Sequence, residues 1–385
     1  MQEYKEEGIG EEQKLRALFI DDDSSQCSKV RKLVNNGMLD LDCIVQAREY
    51  AGGTYDIGYY QNQNSADICS DKIRLLAEQT DTLEGIILYA NMCGGFGSGF
   101  GTRLLDMIES DFKKCTVTSH LVMPSGGASI VEVYNSALSL TTFSDKSKFC
   151  MVTTRQGVAE YLERMEKVQY PSINEIQAVQ ARVGITYLSL FQNPKVPLRM
   201  DSYLATQIPY PRINLALSSL ATPHNDLGNS LTRRVIHPDS SLSHWQSLFD
   251  KSIVPNERRP NSYQQRCAAL SLLYSGCSLK DVACSEKEIP FKFEEFNPQP
   301  ISQLQTPLTR KSALMLRNDK LITLHFSEIG KIFDKGYSKR MFVHWFVGSG
   351  LEEGLFTESR EDLEARIKDW EYGGVETAED GDDEY

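Results

Sequence analysis

Two spacings of apolar residues divide the chain. Short continuous or alternating runs, read as strands, cover Leu15–Ile20, Ile86–Ala90, Thr116–Met123, Lys148–Val152 and Asn214–Leu220. Helical spacing covers Ser65–Gln79, with Cys69, Ile73 and Leu76 on one face. It returns at Leu104, Leu105, Ile108 and Phe112, and again over Ile130–Phe143. A long helix is predicted from about Ser172. Ser172 and Glu175 form its capping box, and Ile176, Val179, Val183, Tyr187 and Leu190 lie along one face. Strands alternating with helices imply an α/β fold with a mostly parallel sheet. After the break at Pro209–Arg212, Ala268–Tyr274 and Ser312–Leu316 read as strands of a second sheet. His224–Pro260 is loop-rich, with weak helical signals over Leu242–Phe249. Helices follow over Ser327–Lys335, Lys339–Val347 and Thr357–Glu371. No internal repeat is present.

The stretch from Gly85 to Phe112 organises the rest. A buried strand leads into Gly94, Gly95, Gly97, Gly99 and Gly101, and a helix leaves them. Strand, glycine loop and helix N-terminus together aim backbone N–H groups at an anion. Glycine is expected there because the backbone must take unusual φ/ψ values and approach a phosphate closely. Taken alone, a plain glycine-rich turn is an equal reading. No Gly-Lys-Ser/Thr follows, which excludes the P-loop, and the dinucleotide fingerprint is only approximated. In a parallel sheet, ligands sit beyond the carboxyl ends of the strands, where Asp21, Asp22 and Asp23 and the glycine loop are both expected.

Composition narrows the function class. The 385 residues carry a net charge of −12, which argues against a nucleic-acid or acidic-membrane binder. Glu371–Tyr385 holds seven acidic residues and no Lys or Arg, and is expected to be disordered. Nine cysteines without a CxxC pair point to reduced thiols in a cytosolic compartment. The histidines form no HExxH-like cluster, so a metal site built on histidine is not expected. The polar N-terminus is unlike a signal peptide, and no apolar run approaches a membrane span.

Distant stretches, in order, resemble the tubulin family, and its α-type in particular. Cys93–Gly99 resembles the GGGTGSG phosphate loop, with Cys93 for its first glycine and Phe96 for its threonine. Arg16–Asp21, Thr54–Gly58, Val131–Ser136 (VEVYNS) and Ile208–Ile213 (IPYPRI) resemble further family segments. Lys339–Gly348 (KRMFVHWFVG), Glu352–Gly354, Glu358–Leu363 and the terminal Glu384-Tyr385 are similar to the α-type C-terminal region. The resemblance implies a three-layer nucleotide-binding domain over 1–154 that lacks the family's first strand and phosphate loop, either by loss or because the chain begins late. A core helix and α+β intermediate domain follow over 155–317, then a C-terminal helical domain over 318–370 and an acidic tail over 371–385. It also implies GTP and Mg2+ as ligands, β-tubulin or other tubulin subunits as partners, and motors or microtubule-associated proteins at the C-terminal helices. No nucleic acid or membrane is implied. The implied location is the cytoplasmic cytoskeleton, with a cilium as analogy only.

By the same resemblance, nucleotide contacts fall on Asp23, Gly94, Gly95, Gly97, Ser98, Gly99, Glu132 and Gln177, with Asp23 on the magnesium side. Several family positions are changed. Phe96 cannot donate to a phosphate oxygen and stands to occupy its space, unless the loop turns the ring outward. Arg48 replaces a phosphate-loop asparagine. Around the base, Arg155 cannot accept a hydrogen bond and Ile173 cannot stack as an aromatic ring does. The glutamate with which an α-type chain acts on its neighbour's GTP falls on Ser202, with Asp201 beside it. Core packing is the preferred reading for Phe342, Trp345 and Leu363, and exposure for Glu358, Arg360, Glu361 and Asp362. The first expectation is a structural component of microtubules or an associated assembly, with eroded GTP binding and no hydrolysis. The alternative is a functional GTP-binding α-type subunit that polymerises with β-tubulin. An unrelated nucleotide enzyme on an α/β fold is the third.

Overall fold

The computed structural model describes residues 15–34, 37, 39–47, 50–125, 127–165, 168–192, 198–221, 266–275, 292–293, 301–305 and 312–372. The expected helical signals in Leu242–Phe249, the site candidate Arg48 and the acidic tail beyond residue 372 lie outside the described residues.

The first strand is shorter than its apolar run. β1 (Phe19–Asp21) pairs in parallel with β2 (Ile44–Gln46), Ile20 lying opposite Val45, and α1 (Ser24–Val34) connects them. The large sheet begins with β3 (Gly85–Asn91), β4 (Thr116–Met123), β5 (Phe149–Thr154) and β6 (Leu215–Ala221), all parallel. β10 (Ser312–Asp319) then runs antiparallel between β6 and β7 (Arg266–Ser275), while β8 (Lys292–Phe293) and β9 (Ile301–Gln305) both pair with β7. The expected second sheet is therefore corrected. Leu314 pairs with Leu220 and with Leu273, so the later strands extend the parallel sheet instead of forming their own.

Alternation along β5 shows why the fold has three layers. Cys150 and Val152 face one apolar cluster, and Phe149 and Met151 face the other. On the first side pack α3 (Gly101–Asp111), α4 (Ile130–Lys146) and the C-terminal helices α8 (Leu321–Tyr337), α9 (Val343–Gly348) and α10 (Gly354–Tyr372). α2 (Gln63–Glu78) joins this side through Ala66 and Cys69. On the second side pack α5 (Arg155–Met165), α6 (Ile173–Phe191) and α7 (Met200–Gln207). Tyr134 of α4 anchors the C-terminal helices. Its ring lies edge-on to Phe333, Phe346 and Phe356 at 5.1, 5.9 and 5.0 Å, and such pairs add about 0.5–1.5 kcal/mol each beyond area burial.

α8 begins six residues earlier than its periodicity suggests, because the Asp319 carboxylate accepts the Leu321 N–H at 2.8 Å. The helix expected over Lys339–Val347 shrinks to α9. Arg340 (φ 51°) and Phe342 (φ 62°) take left-handed backbone and break it. That turn also throws Phe342 and Trp345 outward. They are 42% and 62% exposed, correcting the core reading, whereas Leu363 is buried. Glu358 and Glu361 are exposed as expected. Arg360 and Asp362 are half-buried instead, Arg360 donating to Asp334 at 2.8 Å and Asp362 accepting from Thr141 at 3.0 Å. Among the described residues no helix is long and apolar enough to cross a membrane.

Candidate phosphate-binding site at the glycine loop

β3 ends at Asn91, whose side-chain oxygen accepts the Cys93 N–H at 3.1 Å and turns the chain. A helix starts at Gly95, passes through a π-helical turn over Phe96–Phe100 and continues as α3. Ser98 donates its N–H (3.1 Å) and its hydroxyl (2.7 Å) to the Gly94 carbonyl. The N–H groups of Gly95, Phe96 and Gly97 precede that first intrahelical bond, so they point out of the helix end as anion donors do.

The unusual backbone expected at the glycines is corrected. Gly95 has φ −62° and Gly101 φ −59°, and none of the loop glycines takes positive φ. What requires glycine is backbone contact. A Cβ on Gly95 would collide with the Thr54 backbone, on Gly97 with Asn91, and on Gly99 with the Tyr55 carbonyl. Tyr55 heads a second π-bulged helical turn, Ile57–Gln61, laid directly against the first. Gly94 differs, since a Cβ there would meet nothing within 4 Å.

Asn135 ties these pieces together. It is fully buried, accepts the Tyr55 N–H at 2.9 Å, and donates to Gly53 O at 2.7 Å and Cys93 O at 3.0 Å. It stands inside the VEVYNS segment, where no local pattern marks it as different from any other polar helix residue. Phe96 is half-buried. Its ring stacks on Phe100 at 4.6 Å, 9° from parallel, and packs against the core cluster. Burial pushes the Cys93 thiol up to about 12, and both Glu132 and Arg155 lie within electrostatic reach of it.

The remaining predicted contacts are partly committed to local structure. Glu132 accepts the Ser129 N–H at 2.9 Å and Ser129 accepts the Glu132 N–H at 3.2 Å, which closes a capping box on α4. Asp23 accepts the N–H and the hydroxyl of Ser25, both at 2.8 Å, and these bonds hold its carboxyl below the usual range. Asp22 accepts the Ala51 N–H at 3.0 Å. Among the described residues no group of three or more His, Cys, Asp or Glu side chains could hold a metal ion. Arg155, Ile173 and Gln177 are exposed, and the predicted Ser172–Glu175 capping box is present.

Asp201 and Ser202 lie elsewhere. Asp201, in the first turn of α7, accepts from the Thr116 hydroxyl and from Lys148 Nζ at 3.1 Å. Thr116 opens β4 and Lys148 precedes β5, so this cluster sits at the amino end of the parallel strands. The glycine loop sits at the opposite, carboxyl end. The two regions therefore belong to opposite poles of the molecule.

A model of the Tubulin/FtsZ family, GTPase domain, matches residues 2–162. The chain is 30% identical to the tubulin alpha-2B chain of Physarum polycephalum, covering 95% of this chain and 84% of that relative. It is 28% identical to the tubulin alpha-2 chain of Eleusine indica, covering 96% and 86%. The chain belongs to the tubulin family.

For a guanine nucleotide, the class of ligand such a GTPase domain takes, the loop offers a partial fit. The helix N-terminus is formed, the space beside Gly94 is open, and the Phe96 ring is engaged with Phe100. The N–H groups of Gly95–Gly97 would hold a phosphate, while the Ser98 hydroxyl is already donated to the Gly94 carbonyl. At Asp23, the residue expected on the magnesium side, both carboxylate oxygens accept from Ser25.

Proposed function

We propose that this tubulin-family chain is a structural subunit that assembles with other tubulin subunits and does not drive GTP hydrolysis. One observation carries the reading. At the pole opposite the glycine loop, the carboxylate beside Ser202, Asp201, is held by Thr116 and then Lys148, which lower its pKa and make it a poor proton acceptor. Both relatives named above are α-type chains, so a β-type subunit is the natural neighbour at that pole. Nucleotide binding is reduced to the phosphate end. Gly95–Gly97 keep their N–H donors, while Ile173, Arg155 and Gln177 supply neither an aromatic stack nor the family's paired amides for the base. The location that follows is the cytoplasmic cytoskeleton, and the specialised microtubule of a cilium is one such assembly. Motors and microtubule-associated proteins would meet the surface that includes the exposed Glu358 and Glu361.

A second reading, a GTP-binding subunit that polymerises, draws on the open space at Gly94 and the Phe96–Phe100 stack. Two measurements separate them: guanine nucleotide released from the purified protein, and GTP hydrolysis in polymers made with β-tubulin. Well under one nucleotide per chain, with slow hydrolysis across the mixed junction, is the expected result. Full occupancy and normal hydrolysis would establish the second reading.

A further inference from the structure

Three helices start at the carboxyl end of the parallel strands: the helix of the glycine loop, α4 and α5. Each presents there the partial positive charge of its unpaired N–H groups. At α4 the charge is answered from within, by Glu132 in the capping box. Neither the glycine-loop helix nor α5 has an acidic residue in its first turn. α5 instead begins with a cation, Arg155, which is unfavourable against its own helix end.

Arg155 stands close to the loop. β5, which it follows, is two strands from β3, about 10 Å across the sheet, with only β4 between them. The loop leans over that gap. Met92 donates its N–H to the Val122 carbonyl of β4 at 3.0 Å, and the Cys93 thiol donates to the same oxygen at 3.9 Å. That thiol is in turn within electrostatic reach of Arg155. Among the described residues no hydrogen bond or carboxylate pair engages the exposed Arg155 guanidinium. By contrast, Arg212, Arg360 and Arg366 are held by Asp369, Asp334 and Asp145.

We propose that Arg155 binds phosphate: from the head of α5, its guanidinium pairs with the phosphate chain that the N–H groups of Gly95–Gly97 hold. The inference rests on the reading above that the loop keeps the phosphate end of a nucleotide. Having donors and no acceptor makes Arg155 unsuited to the base contacts expected of it, and suited to phosphate oxygens, which accept. Its fork can take two of those oxygens at once. The anion would answer the guanidinium and both helix ends together. Arg155 also offsets Glu132, whose carboxylate lies within reach of the same thiol and repels a phosphate. Because the base takes no part in this pairing, the ligand class is a chain of linked phosphates, with or without a nucleoside.

Isothermal titration calorimetry on the full chain, with GTP and with inorganic tripolyphosphate at constant magnesium, tests this in wild type, Arg155→Gln and Arg155→Lys. Arg155→Gln should weaken both ligands by the same factor, about tenfold or more, the worth of one hydrogen bond to a charged group. Arg155→Lys keeps the charge without the fork and should fall between. Arg155 is exposed, so thermal unfolding of the unliganded variants should match wild type, which separates a ligand contact from a structural one. Equal affinity of wild type and Arg155→Gln would overturn the proposal while leaving the phosphate end of the loop intact. A loss for GTP alone, or a wild type that takes GTP but not tripolyphosphate, would assign the affinity to the base and overturn it as well. A wild type that binds neither ligand would overturn the reading of the loop itself, and the role of Arg155 with it.

Discussion

The side-chain amide of Asn135 donates to the Cys93 carbonyl at 3.0 Å while its oxygen accepts the Tyr55 N–H at 2.9 Å. One buried residue of α4 therefore fixes the glycine loop against the Thr54–Gln61 turn. Replacing it by leucine leaves a buried N–H and two carbonyls without partners, at about 1–3 kcal/mol for each orphaned group. Asn135→Leu is expected to lower stability by about 3 kcal/mol or more in urea unfolding. Asn135→Asp, which keeps only the acceptor, should fall between.

The glycines separate packing from binding. Gly99→Ala drives a Cβ into the Tyr55 carbonyl, and the helices must move apart. It should cost about 2 kcal/mol or more, in the range of overpacked sites. Gly94→Ala meets open space and should change stability by no more than about 0.5 kcal/mol, while weakening any phosphate held at the loop. Thermal unfolding of the two variants, with and without GTP, reads both effects.

Asp56 is fully buried on the turn facing Thr54 and Ser349, and burial raises its carboxyl pKa above the usual value. A carboxyl raised in the folded state is easiest to keep when protonated, so its destabilising contribution grows as pH rises through that value. Asp56→Asn should stabilise the protein at neutral pH by about 1–3 kcal/mol. The gain should shrink as pH falls and the native acid takes its proton. Denaturant midpoints at pH 7 and pH 5 check the sign.

His120 and His325 behave in the opposite sense. Both are fully buried, and burial lowers each to about 4. Their neutral forms contribute stability that is fully present above the unfolded value of about 6.5 and is lost as pH falls toward 4. Each proton taken up on unfolding steepens the loss by about 1.4 kcal/mol per pH unit. His325→Leu, which removes two buried nitrogens without hydrogen-bond partners, should flatten the acid limb of a stability–pH profile.

Ser202 offers a direct gain-of-function test of the proposed role. Ser202→Glu places a carboxylate one residue from the one that Lys148 holds. In polymers with β-tubulin it should raise GTP hydrolysis by about 10²–10⁴-fold, the usual worth of a positioned acid–base group. An unchanged rate in polymers of normal morphology would count against the role given to this pole.

The sequence by itself determined the local elements whose cause is local. The Ser172–Glu175 cap, the apolar face of α6 and the strands β4, β5 and β6 follow from residues adjacent in the chain, and so does the loop that joins β3 to α3. Family membership was legible for the same reason, in short ordered motifs such as Lys339–Gly348. Tertiary structure decided the rest. The π-helical conformation of Phe96–Phe100 arises because two helical turns meet backbone to backbone, a contact between residues about forty apart that no local pattern carries. The merging of β10 and β7 into the main sheet depends on long-range pairing with β6, where propensity is silent about partners. Glu132 and Asp23 read as ligands from the motif, and only the structure shows that both also cap helices. Asn135 read as one polar residue among many, and burial made it the clamp of the site, because a buried amide is held wherever three backbone groups need partners.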